Sequence, residues 1–67
     1  MTVPSDEAIA QEMHRYGGSF VRALAQAWFA ADPGNRTRIQ TAFPEYWTAY
    51  TYMVQQRHAR EADGHAL

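Results

Sequence analysis

Apolar residues recur through the first half of the chain at steps of three and four: Ile9, Met13, Tyr16, Phe20, Leu24, Ala27/Trp28 and Ala31. That is the spacing of one helix face. The stripe crosses Gly17-Gly18 without losing its period, although a glycine pair ordinarily marks a helix end. The register predicts a continuous or mildly bent helix from about residue 5 to Ala31, because a glycine costs only about 1 kcal/mol in a helix. At ~1.5 Å per residue such a helix would be about 40 Å long. At roughly 100° per residue, Gly17 falls inside the stripe, where a missing side chain lets an aromatic neighbour come close. Gly18 faces outward. A break at the pair would instead give two shorter helices, with Ser19 available to cap the second.

The ends of the elements are marked by residue chemistry. In Pro4-Ser5-Asp6-Glu7, Ser5 can cap and the two acids complement the helix dipole. Asp32-Pro33-Gly34-Asn35 closes the first helix and opens the next, with Asp as cap and Pro in the first turn. A second segment holds Arg36 to Ala42, with Ile39 and Phe43 four apart. Pro44 lacks an amide hydrogen and clashes with the preceding turn, which predicts a kink at Phe43-Pro44. The third segment runs from Pro44 to about Ala62. Its apolar face is Tyr46, Trp47, Tyr50, Met53 and Val54, continued by the stems of Arg57 and His58.

Residues 63–67 read as a frayed tail, so the domain is residues 1–62. No useful strand alternation and no internal repeat occurs. The expected class is all-α: a helical hairpin of two arms, the second kinked at Pro44. Gly17, Phe20, Trp28, Phe43 and Trp47 are expected to be structural. Phe29 and Tyr52 fall on the sides opposite the two main apolar faces. Beside so thin a core they predict a second apolar surface, used for assembly into a helical-bundle oligomer or for a partner.

Composition narrows the class further. A chain of 67 residues is one small domain, of the size that often relies on a metal, disulfides or a partner chain for stability. The absence of cysteine removes disulfides and thiolate metal sites. A net charge of −1 argues against nonspecific binding to nucleic acid or to an anionic membrane. No run approaches the ~20 apolar residues of a membrane span. The N-terminus has neither the basic region nor the apolar run of a signal peptide, and the expected location is cytoplasmic. Apart from histidine, every basic residue is arginine: Arg15, Arg22, Arg36, Arg38, Arg57 and Arg60. GC-rich coding accounts for that as well as any demand for guanidinium contacts.

Candidate chemistry is sparse. His58, Glu61 and His65 would share a face only if the last helix reached the terminus, and they make a weak ligand set. His14 lies at the border of the first stripe. Ser5 and Ser19, the only serines, suit helix starts, and neither is spaced for a relay with a histidine and an acid. No two acids are placed for burial together. Gly17-Gly18 lacks the following Lys-Ser/Thr of a phosphate loop. No catalytic residue, metal or cofactor is expected. Arg36 and Arg38 near the turn, with Arg57, His58 and Arg60 at the far end, form no continuous basic stripe. Tyr46, Trp47, Tyr50 and Tyr52 could stack bases, but three of the four lie on the core side. A nucleic-acid-binding or transcription-regulating accessory protein is therefore the alternative reading.

The segments Tyr16-Gly17-Gly18-Ser19-Phe20-Val21-Arg22-Ala23-Leu24-Ala25, Ala31-Asp32-Pro33-Gly34-Asn35 and Ala42-Phe43-Pro44-Glu45-Tyr46-Trp47 resemble, in the same order, a set of small uncharacterised proteins encoded by bacteriophages and prophages. The resemblance covers roughly residues 14 to 50. It implies a phage-encoded protein in the cytoplasm of a bacterial host, of a kind that binds and modulates a host or phage protein. The expected function is a non-catalytic protein–protein interaction module, with Phe29, Tyr52 and the turn arginines Arg36 and Arg38 as its contacts.

Overall fold

A computed structural model describes the backbone of residues 3–66 and the side chains of residues 3–60. The last helix, expected to end near Ala62 with a tail at 63–67, runs on to Ala66; Leu67 and the side chains of Glu61 and His65 lie outside the described residues. Four helices follow one another: α1 (Asp6–Tyr16), α2 (Ser19–Ala30), α3 (Pro33–Ala42) and α4 (Pro44–Ala66). No strand occurs among the described residues, and the class is all-α.

Three of the boundaries follow directly from side-chain chemistry. The Ser5 hydroxyl accepts from the amide of Ala8 at 3.1 Å, and Asp6 and Glu7 occupy the first turn of α1. The Asp32 carboxylate accepts from the amide of Asn35 at 2.8 Å, with Pro33 as the first residue of α3. Each cap satisfies a donor that has no partner within its helix. At Phe43 the backbone leaves helical geometry, with φ −130° and ψ 57°. Pro44, which has no amide hydrogen to lose, then starts α4.

The fourth boundary corrects the continuous helix predicted through Gly17-Gly18. Both glycines are extended, Gly17 at φ −75° and ψ 157° and Gly18 at φ −70° and ψ −175°. The chain turns there, and α1 packs against α2. The physical reason is burial. A single 40 Å rod keeps the two halves of its stripe apart, whereas folding at the glycines brings Ile9, Ala10 and Met13 together with Leu24, Ala25 and Trp28 in one cluster. Ala10 and Ala25 are fully buried and each lies seven residues from the nearer glycine, so small side chains meet at one height where the helices approach.

Neither glycine has positive φ, so the need for glycine at position 17 is steric. A Cβ on Gly17 would collide with the Met13 carbonyl oxygen and would sit 2.6 Å from Cγ1 of Val21. The neighbour that Gly17 makes room for is therefore its own turn and Val21, rather than the aromatic arm. Nothing lies within 4 Å of a Cβ on Gly18.

The remaining helices close the core from one side. α4 packs on α1, and α3 contacts α2 and, more sparingly, α4. Trp47 of α4 joins the cluster, its ring 6.3 Å from that of Trp28, and Val54 is fully buried further along the helix. α3 contributes no buried residue and serves mainly to carry the chain from Trp28 to Trp47. The turn at Gly17-Gly18 also moves two expected core residues outward. Tyr16 is 55% and Phe20 53% exposed, although Phe20 keeps an edge contact with Phe43 at 5.7 Å.

Candidate functional site

The polar feature at the centre of the molecule is an ion pair between α1 and α4. Glu12 is only 5% exposed, and its carboxylate lies 3.1 Å from the guanidinium of Arg57. A buried carboxylate is costly without a counter-charge, and α4 supplies one just past the buried Val54. Two open grooves meet at this pair, and Glu12 and Arg57 line both of them. The larger, about 910 Å³, runs along α1 beside Gln11, His14 and Arg15, with Gln26, Phe29 and Ala30 of α2 on its flank. The smaller, about 490 Å³, lies between α1 and α4 and is lined by Tyr16, Tyr52, Met53, Gln56 and Arg60.

Phe29 is 39% exposed and borders the larger groove. Tyr52 is 63% exposed and borders the smaller, on the other side of the ion pair. Met53, expected on the core face of α4, is exposed beside it. Arg36 has a different place. Its guanidinium donates to the carbonyls of Trp28 at 3.0 Å and Phe29 at 3.2 Å and lies 4.2 Å over the Trp28 ring. Those carbonyls lie in the last turn of α2, where that of Trp28 also accepts from the Ala31 amide at 3.2 Å, so Arg36 adds to the closure of the helix and stacks on its indole. Arg38 is exposed on α3. Phe29 and Arg36 are thus brought together, whereas Tyr52 belongs to the second groove and Arg38 borders neither.

Two further arginine and histidine groups are held within the fold. Arg22 donates to the carbonyl of His14 at 3.2 Å, closing the end of α1 as Arg36 closes α2. The exposed His14 ring meets the Gln26 amide at 3.3 Å. Among the described residues no group of three His, Cys, Asp or Glu side chains is placed to hold a metal ion, and no helix is long and apolar enough to cross a membrane. What the two grooves offer is recognition chemistry: aromatic faces, a thioether, amides and guanidinium groups around one neutralised carboxylate.

Sequence reasoning missed Glu12. Glu12 follows Ile9 by three and adjoins Met13, at the edge of the buried stripe. The signal was distributional. Asp6, Glu7, Asp32 and Glu45 all sit at helix starts, and Glu12 alone among the acids whose side chains are described does not.

The pair also predicts an asymmetry. Arg57→Met leaves the carboxylate buried without its counter-charge and should cost about 2–3 kcal/mol of stability. Glu12→Gln leaves a guanidinium that is 37% exposed and can hydrate, so it should cost about 1 kcal/mol. Urea denaturation of both variants checks the order.

No protein-family model matches the chain, and neither does any curated protein or solved structure.

Proposed function

We propose that the chain is a non-catalytic protein–protein interaction module that modulates a partner protein. The observation that carries this reading is the distribution of its large apolar side chains. Tyr16, Phe20, Phe29, Tyr52 and Met53 are all exposed, and four of these line the two grooves that meet at Glu12 and Arg57. A chain of this size has few large apolar residues to leave outside its core, and contiguous exposed apolar surface is a mark of contact sites. Phe20, with Phe43 and Tyr46 against it, forms a separate aromatic cluster suited to self-association. On this reading the four helices assemble with those of further copies into a helical bundle. With the resemblance to small phage-encoded proteins, the proposed setting is the cytoplasm of an infected or lysogenic bacterium.

The arginine contacts favour this reading over nucleic-acid binding. Arg22 and Arg36 close helices, and Arg57 pairs with Glu12. A backbone-tracking protein needs its cations aligned on phosphates. Sedimentation velocity across a range of protein concentrations, run beside a DNA mobility-shift assay, tests the proposal. Reversible self-association with no DNA shift is the expected result. A salt-sensitive DNA shift by a protein that stays monomeric would overturn it.

A further inference from the structure

We infer that Gly17-Gly18 is a hinge through which two copies of this chain exchange α1, each laying that helix on the α2 and α4 of the other. This rests on the assembly proposed above and deepens it, naming a second copy as the occupant and α1 as the element exchanged. Its basis is a register that the folded hairpin does not require. Across a chain reversal the phase of one helix places no demand on the phase of the next, yet the apolar stripe keeps its period through the glycines. Met13 and Leu24, both in the core cluster, are eleven residues apart, close to three turns at ~3.6 residues each. Straightened into one helix, the segment presents the buried faces of α1 and α2 on the same side. Two such rods, antiparallel about a two-fold axis at the glycines, restore the hairpin's contacts between copies. Ala10 and Ala25 are fully buried and each lies seven residues from the nearer glycine, so Ala10 of each copy meets Ala25 of the other. The buried Glu12 finds the same counter-charge, on the Arg57 of the second copy.

The hinge is already close to a helix. The Gly17 amide donates to the Met13 carbonyl and the Arg22 amide to the Gly18 carbonyl, each at 2.9 Å, and both bonds have helical spacing. The glycines have φ of −75° and −70°, near the helical value of about −63°. Straightening is therefore chiefly a change of ψ at two residues, after which the amides of 18–21 reach the carbonyls of 14–17. A connection this short favours exchange between copies. The two positions also allow variants that push in opposite directions. In the hairpin a Cβ on Gly17 meets the Met13 carbonyl and Val21, whereas in a straight helix alanine is favoured over glycine at both positions. Gly18→Pro does the reverse. Gly18 has φ −70° and follows an extended residue, as proline requires. Among the described residues its amide donates to no backbone carbonyl. A proline there breaks any helix that runs through the pair.

The test refolds the full chain, Gly17→Ala/Gly18→Ala and Gly18→Pro from urea at high protein concentration. Sedimentation reads the oligomer, and isotope-filtered spectra of mixed labelled and unlabelled chains read which contacts run between copies. The wild type should form a dimer in which Ile9 and Met13 of one chain contact Leu24 and Trp28 of the other, with helical carbon shifts at 17 and 18. The double alanine variant should lower the dimer's dissociation constant at least about tenfold, while losing stability when dilute. Gly18→Pro should fold and remain monomeric. A dimer whose α1–α2 contacts stay within one chain, or one that Gly18→Pro forms as well as the wild type, would overturn the exchange and leave the assembly reading standing. A double alanine variant that is monomeric or unfolded when concentrated would also overturn the exchange. A wild type that is monomeric at every concentration would remove the exchange and the assembly reading together.

Discussion

Trp28→Ala should leave the chain largely unfolded, with loss of helical circular dichroism at room temperature. Trp28 is 2% exposed and ties three helices together. Its indole N–H donates to the Gln40 side chain at 3.0 Å, Arg36 stacks on its face, and the Trp47 ring packs beside it. Truncating a buried tryptophan costs about 3–5 kcal/mol. A domain of this length has on the order of 3–10 kcal/mol in total. The same contacts set Trp28 apart from Trp47, which is nearly as buried but whose indole N–H has no hydrogen-bond partner. Trp28→Phe strands the half-buried Gln40 amide, whereas Trp47→Phe removes an unsatisfied donor. Trp28→Phe should therefore be the more destabilising by about 1 kcal/mol. Equal losses in urea denaturation would contradict the roles given to the two indoles.

Gly17→Leu should cost about 3 kcal/mol or more, and even Gly17→Ala should be clearly destabilising. The obstacle at position 17 is the Met13 carbonyl, which is backbone and cannot rotate away, with Val21 closing the other side. Gly18→Ala meets open space in a conformation alanine adopts freely. It should be neutral or stabilising by about 0.4–1 kcal/mol, because it restricts the unfolded chain. Melting temperatures of the three variants decide the matter. Similar tolerance at 17 and 18 would mean that the turn is not built on close approach at Gly17.

How far the fold could be read from sequence depended on whether a signal was local. Ser5, Asp32 and Pro44 act on amides a few residues away, and each set a boundary where residue chemistry placed it. The glycine pair was misread because the stripe could not tell a rod from a turn. Met13 and Leu24 are eleven residues apart, close to three turns at ~3.6 residues each. A continuous helix therefore fits the numbers although the two faces meet by folding back. Tyr16 and Phe20, the residues nearest the turn, paid the difference and lie outside the core. The exposure of Phe29 and Tyr52 was legible from periodicity alone. The capping role of Arg36 was not, because it depends on how α3 returns past the end of α2. Nor was the burial of Glu12, whose partner lies 45 residues away in sequence, on α4.

The exposed Tyr16 and Tyr52 side chains are, on this account, kept for contact with another protein and are dispensable for the fold. The most direct measurement is retention of proteins from a bacterial extract by the wild-type chain and by a Tyr16→Ser/Tyr52→Ser double variant, each immobilised at equal density and checked for equal thermal stability. Both positions are exposed, and each serine should cost no more than about 0.5 kcal/mol. The account predicts a partner held by the wild type and lost by an equally stable variant. Identical retention by the two, or a variant that unfolds, would contradict it.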